Sequence, residues 1–105
     1  MARNNGLDGK EKAALLRAFA FEAHRKRPAD EILRDYVNEQ YALGRRREIR
    51  AVDDALTERG FAAGMVALDL IGAEAALVLA IIVDKDHRLL SAALNALADS
   101  AESDG

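Results

Sequence analysis

The sequence predicts an all-α protein, a compact six-helix bundle with short connections. The 105-residue chain is rich in Ala and Leu, and half of its residues are hydrophobic, which is enough to form a core. It has one proline and only 5% aromatic residues, whereas strands favour aromatic and β-branched residues. Apolar residues recur at steps of three and four positions, as in amphipathic helices. We therefore expect a single helical domain over residues 1–105, frayed at 1–8 and 102–105.

The first two helices have clear signals at their ends. Asp8 and Glu11 have the spacing of a capping box, which predicts a helix over about residues 9–27. Pro28 suits the start of the second helix, because a residue in the first turn needs no N–H donor. Gly44 can take the left-handed conformation that ends a helix, so we expect the second helix to end there.

Four further helices are predicted in the second half of the chain. The third, over 45–59, has a narrow apolar stripe on a charged helix, which is typical of an edge position. The next segment is markedly apolar and predicts two core helices, one over 61–72 and one over 73–83. The last helix begins after Asp86, a suitable N-cap residue, and ends near Ala101.

Composition excludes several classes of protein. The chain has no cysteine, which excludes disulfides and thiolate chemistry. Its first twelve residues lack the apolar segment of a secretory signal, so we expect a cytoplasmic protein. No apolar stretch approaches the roughly 20 residues that a membrane-spanning helix requires.

No pattern typical of an enzyme is present. The serines lie on or after the last helix, and no phosphate-binding glycine loop occurs. Asp53 and Asp54 are adjacent, which directs their side chains about 100° apart on a helix, so we interpret them as solvated. The turn with Asp84, Asp86 and His87 lacks the spaced oxygen ligands of a calcium loop. We therefore expect no catalytic residue, no metal and no cofactor, although cation binding at this turn stays open.

Two basic groups are the best candidates for a binding site. One lies at the C-terminal end of the first predicted helix, an end that favours cations. The other opens the third helix, where the macrodipole disfavours positive charge, so this placement has no structural reason. If helices one and three lie side by side, the groups converge into a positive patch. The candidate partner-binding residues are Arg45, Arg46, Arg47, Arg50, Arg25, Lys26 and Arg27.

Two functions are compatible with these charges. The net charge is -3, but most of the 15 basic residues lie in the first half of the chain. We expect a non-enzymatic protein–protein interaction module, with a homodimer as one form of it, because some of the apolar residues of 61–83 should stay exposed for a second copy. The alternative is a small cytoplasmic nucleic-acid-binding or regulatory protein that binds phosphate through its arginines.

Three segments follow one pattern over about residues 12–102. KAALLRAFAFEAHRKRPADEIL has Arg17 in a leucine-rich helix and Pro28 at the turn after it. RRREIRAVDDALTERGFAAGMVAL is a charged helix followed by Gly60 and a short second helix. VDKDHRLLSAALNALADSAE matches a "GExxGxLxxxLxxLAxxxE" motif at Leu90, Leu94, Leu97, Ala98 and Glu102.

This order of segments resembles the soluble helical domain of the type II secretion and type IV pilus inner-membrane platform proteins, the secretion F family. The chain lacks the family glycine before Pro28, and it also lacks the glycine, glutamate and second glycine of the last motif. Family members carry transmembrane helices and usually two copies of the domain, whereas this chain has one copy and no predicted span. The resemblance implies a bacterial protein that docks onto secretion or pilus machinery, such as an assembly ATPase or another platform subunit.

Overall fold

The computed structural model describes residues 7–104, and their regular structure consists of six α-helices. These are α1 (Gly9–His24), α2 (Ala29–Ala42), α3 (Arg46–Arg59), α4 (Phe61–Ala67), α5 (Ala73–Ile82) and α6 (His87–Asp104). No strand occurs in this range. The predicted all-α class and the predicted order of six helices with short connections are therefore confirmed.

The most extensive helix pair in the bundle is α1 with α6, which run antiparallel. At one end of the pair, the ring centroids of His24 and His87 lie 6.3 Å apart. Towards the other end, the Arg17 guanidinium donates hydrogen bonds to Asp99 at 3.1 Å and to Glu102 at 2.6 Å. The first and last helices of the chain are thus joined along their length.

The ends of the described chain have regular local structure. Residues 102–104 continue α6, three residues beyond the predicted end near Ala101. Asp8 is fixed by the predicted capping box, in which its Oδ1 accepts from the Glu11 backbone N–H at 2.8 Å and its own N–H donates to Glu11 Oε1 at 2.9 Å. Residues 1–6 and Gly105 lie outside the described residues.

Helix ends follow the local signals. Gly44 and Gly60 end α2 and α3 with left-handed φ angles of 82° and 98°, as predicted. Asp86 accepts a hydrogen bond at 2.9 Å from the backbone N–H two residues further on, which confirms it as the cap of α6. α1 and α4 are shorter than predicted, and each is followed by a residue with positive φ, Lys26 and Asp69.

The core contains buried side chains from every helix, but the contributions are unequal. α4 buries Phe61, Ala62, Gly64 and Met65, as expected for a core helix. In α5 only Leu79 is buried, so the expectation that α5 is a core helix was wrong. Of the six helices, α5 packs against α4 and α6 alone, at the edge of the bundle, and the described residues leave most of its surface uncovered. No helix of the described chain combines the length and apolar character needed to cross a bilayer.

Candidate functional site

One side of α5 presents large apolar side chains to solvent. Leu77, Val78 and Ile81 are 71%, 56% and 63% exposed, whereas Leu79 is 1% exposed. Ile81 lies four positions after Leu77 and three after Val78, so these three side chains share one side of the helix. Single exposed apolar residues are common on proteins, but a contiguous apolar patch marks a surface that binds something.

Charged residues lie at the two ends of this patch. Glu74 lies one turn before Leu77 and Val78, and Lys85 lies in the turn that follows the last residue of α5, Ile82. The backbone N–H of Lys85 donates to the carbonyl of Ile82 at 3.0 Å, which continues the turn. We call the surface formed by Glu74, Leu77, Val78, Ile81 and Lys85 the α5 face.

Glu74 and Lys85 are both exposed. Within the described residues, neither side chain takes part in a salt bridge or a side-chain hydrogen bond. Their charges are therefore available to a partner that covers the apolar patch between them.

The two basic groups predicted as one site lie apart. The first group, 25–27, lies between α1 and α2, and the second group, 45–47 with Arg50, lies between α2 and α3 and on α3. The 14 residues of α2, about 21 Å of helix, separate them. In the described chain α1 does not pack against α3. The structure therefore does not bring the two groups together.

Arg27 of the first group has a structural role. Its guanidinium lies 2.7 Å from Asp35, 3.2 Å from Glu31 and 3.5 Å from Glu22. Hydrogen bonds to Asp35 and Glu31 raise the pKa of Arg27 further above its ordinary value. The side chain thus joins α1 to α2. Arg25 lies 5.5 Å from the ring centroid of Phe21, a cation–π distance.

The second group is exposed and forms no salt bridge within the described residues. The Arg45 guanidinium donates to Gln40 Oε1 at 3.1 Å, and the Arg46 guanidinium lies 6.0 Å from the ring centroid of Tyr41. A shallow pocket beside these residues has a mixed charge, because two carboxylates share it with two arginines. Its lining residues are Tyr41, Arg46, Arg50, Asp53 and Asp54.

The turn before α6 was the one candidate for a cation. His87 Nδ1 lies 3.7 Å from Asp86 Oδ1, and the other neighbour of the His87 ring is His24. Asp84 is exposed. Across residues 7–104, no group of three or more His, Asp or Glu side chains has an arrangement that could hold a metal ion.

The sequence predicts that some apolar residues of 61–83 stay exposed for a second copy, but it does not single out the α5 face among them. Its signal was nevertheless present, since α5 is apolar around its whole circumference but only ten residues long. A helix that is apolar all round is usually buried, so the apolar character alone indicated a core position.

Comparisons of this chain with known protein families, with curated proteins and with solved structures gave no match. The resemblance to the secretion F domain therefore stays a prediction that depends on the sequence motifs.

Proposed function

We propose that this protein is a non-enzymatic interaction module that binds another protein through the α5 face. The observation that carries the proposal is the exposure of Leu77, Val78 and Ile81 on one side of a single helix. On the other helices of the described chain, exposed large apolar side chains occur at single positions, such as Phe21 of α1 and Leu89 of α6, so the group of three on α5 is not a general property of the surface. Protein interfaces have an apolar centre and a polar rim, which is the composition of the α5 face.

The free energy available from this surface favours a weak or moderate complex. A Leu, Val or Ile side chain contributes about 1.5–3 kcal/mol when it passes from full exposure to full burial. Association itself costs several kcal/mol of translational and rotational freedom. A partner must therefore cover all three side chains together, and loss of two of them removes most of the binding free energy.

The resemblance supplies a partner class. We propose that the chain acts in the cytoplasm of a bacterium and docks onto a component of secretion or pilus machinery, an assembly ATPase or another platform subunit. Direct binding between the purified chain and such a component, measured by isothermal titration calorimetry, tests this part. An absence of heat change with both classes of component contradicts the partner class but leaves the α5 face open to others.

The test of the interaction module is a pull-down from native lysate at low and high salt, followed by mass spectrometry. The informative variant is the double substitution Leu77→Asp with Ile81→Asp. Leu43→Asp is the matched control, because Leu43 is 60% exposed but lies at the end of α2. Circular dichroism confirms that all three proteins are folded.

We expect an identified protein that stays bound at high salt to the unaltered chain and to the Leu43→Asp control. The same protein is lost with the double variant, and it binds the purified chain directly. If the double variant retains every protein that the unaltered chain binds, the α5 face is not the binding surface.

A second candidate function is nucleic-acid binding or regulation through the second basic group, since its four arginines are exposed. Four phosphate contacts reduce the affinity for DNA about 100-fold between 50 and 200 mM salt. The substitution Arg46→Glu with Arg47→Glu should then abolish binding. Arg59→Glu, at the opposite end of α3, is the control. Binding that ignores salt, or that survives the double substitution, contradicts this function.

A further inference from the structure

The α5 face is complementary to itself. Along the sequence, Glu74 and Lys85 are the same number of positions from the midpoint between Leu79 and Ala80, and so are Val78 and Ile81. A two-fold axis through this midpoint, perpendicular to the helix, places Glu74 of one copy opposite Lys85 of the other. The same operation places Val78 opposite Ile81. Opposite charges thus meet at both ends, and apolar side chains meet between them.

We propose that the occupant of the α5 face is a second copy of this chain, with the two α5 helices antiparallel. This inference rests on the proposed function, since it names the partner for the same surface. A two-fold interface of this kind closes on itself, because each copy uses the same residues. Among the described helices, α5 packs against α4 and α6 only, so within residues 7–104 no helix covers its outer side.

Charge selects the antiparallel arrangement. A parallel pair of α5 helices would place Glu74 against Glu74 and Lys85 against Lys85, which is repulsive at both ends. The antiparallel pair replaces both repulsions with attractions, and it also aligns opposite ends of the two helix dipoles. Neither Glu74 nor Lys85 has a partner of opposite charge among the described residues, so pairing between copies breaks no existing salt bridge.

The size of the surface predicts a reversible dimer. A helix of ten residues is about 15 Å long, whereas a stable interface buries about 800 Å² on each partner. We therefore expect a monomer–dimer equilibrium with a dissociation constant in the micromolar range or weaker. Sedimentation equilibrium of the purified chain up to about 500 µM covers this range.

The decisive experiment uses two single charge reversals, Glu74→Lys and Lys85→Glu. Each variant alone has like charges at both ends of the antiparallel pair, so each should dimerise at least about tenfold more weakly than the unaltered chain. An equimolar mixture of the two variants pairs opposite charges at both ends again. Dimerisation in the mixture should therefore return to near the unaltered level.

Glu58→Lys is the matched control, because it makes the same charge change on an exposed position of α3. It should leave dimerisation unchanged, and Leu77→Asp with Ile81→Asp should abolish it. Dimers that tolerate each single reversal would overturn the antiparallel pairing. Dimers that survive the apolar double substitution would overturn the use of the α5 face.

A chain that stays monomeric at every concentration overturns the second copy as occupant. The pull-down tests the proposed function separately. If another protein covers the α5 face, the double substitution at Leu77 and Ile81 still removes that protein from the pull-down. If that partner is a different protein, the interaction module stands and the dimer is wrong. If nothing depends on Leu77 and Ile81 in either experiment, both proposals are wrong.

Discussion

The guanidinium of Arg34 on α2 donates a hydrogen bond of 2.6 Å to the carboxylate of Asp53 on α3. The other carboxylate oxygen of Asp53 accepts a hydrogen bond of 2.6 Å from the hydroxyl of Tyr41. Arg34 also donates to the hydroxyl of Thr57 at 2.8 Å. Asp53 is therefore the centre of a polar network that fixes α3 against α2. The second basic group lies at the start of α3, so this network also positions those arginines.

We expect Asp53→Asn to destabilise the protein by about 1–2 kcal/mol. The reason is that an amide replaces the charged carboxylate, which accepts hydrogen bonds from Arg34 and Tyr41. Asp54→Asn is the control, since Asp54 is exposed and forms no side-chain hydrogen bond within residues 7–104. It should change the free energy of unfolding by less than about 0.5 kcal/mol. Urea unfolding at neutral pH measures both variants. Equal losses in the two variants would show that the network contributes nothing.

The network also predicts that the free energy of unfolding depends on pH in the acidic range. Hydrogen bonds from Tyr41 and Arg34 lower the pKa of Asp53 below its ordinary value of 3.8. The unfolded chain therefore takes up this proton at higher pH than the native protein does. The stability that ionised Asp53 provides is complete above the ordinary pKa and is lost as the pH falls through the lower native pKa. The difference in unfolding free energy between the unaltered chain and Asp53→Asn should shrink below about pH 4.

In the alkaline range the free energy of unfolding changes with pH in the opposite direction. The hydrogen bond to Asp53 raises the pKa of Tyr41 above its ordinary value of 10.0, because the native protein holds the hydroxyl proton. The contribution of Tyr41 is complete below the ordinary pKa and is lost as the pH rises through the higher native pKa. Tyr41→Phe should therefore weaken the alkaline part of the dependence, and Tyr36, whose pKa is raised by burial, should still contribute to it. An unchanged alkaline profile in this variant would contradict the role of the hydroxyl.

The helices that the sequence predicts well are those with local signals. The capping box of Asp8 and Glu11, the two left-handed glycines Gly44 and Gly60, and the cap Asp86 all depend on residues within one turn of each other. The partners in such interactions are close in sequence, so their pattern can be recognised without a structure. The apolar stripe of α3 is confirmed for the same reason, since Ile49, Val52 and Leu56 are buried.

The features that the sequence did not predict depend on contacts between distant segments. The separation of the two basic groups follows from α1 packing on α6 rather than on α3, which periodicity does not specify. Asp53 was interpreted as solvated like Asp54, because its partners Arg34 and Tyr41 lie on another helix. The identity of the exposed apolar residues within 61–83 is of the same kind, since a run of apolar residues does not reveal which of its sides another helix covers.

The two sides of α5 should respond differently to truncation. Leu79 is fully buried, so Leu79→Ala creates a cavity and should destabilise the protein by about 2–5 kcal/mol. Leu77 is 71% exposed, so Leu77→Ala should change the unfolding free energy by less than about 0.5 kcal/mol in dilute protein. Thermal unfolding at low concentration, where association is absent, compares the two variants. A large loss from Leu77→Ala would show that α5 is covered within the monomer.

Close packing of α4 against its neighbours predicts the effect of a single added methyl group. A Cβ at Gly64 would lie 2.5 Å from Cδ2 of Leu33 and 3.4 Å from Cβ of Leu56. Replacing a helical glycine by alanine ordinarily stabilises a helix by about 1 kcal/mol. Overpacking a core costs about 1–3 kcal/mol, because Leu33 is fully buried and must shift within the core. We therefore expect Gly64→Ala to destabilise the protein by about 1 kcal/mol.

Gly72→Ala is the control for this prediction. Nothing lies within 4 Å of a Cβ added at Gly72, and its φ of -88° suits any residue, so the change should stay below about 0.5 kcal/mol. Chemical unfolding of Gly64→Ala, Leu33→Val and their combination measures the coupling directly. Because Leu33→Val makes room beside Gly64, the double variant should lose less stability than the two single losses added together. Strictly additive losses would show that Gly64 and Leu33 are not in tight contact, and a stabilising Gly64→Ala would show that α4 lies further from α2.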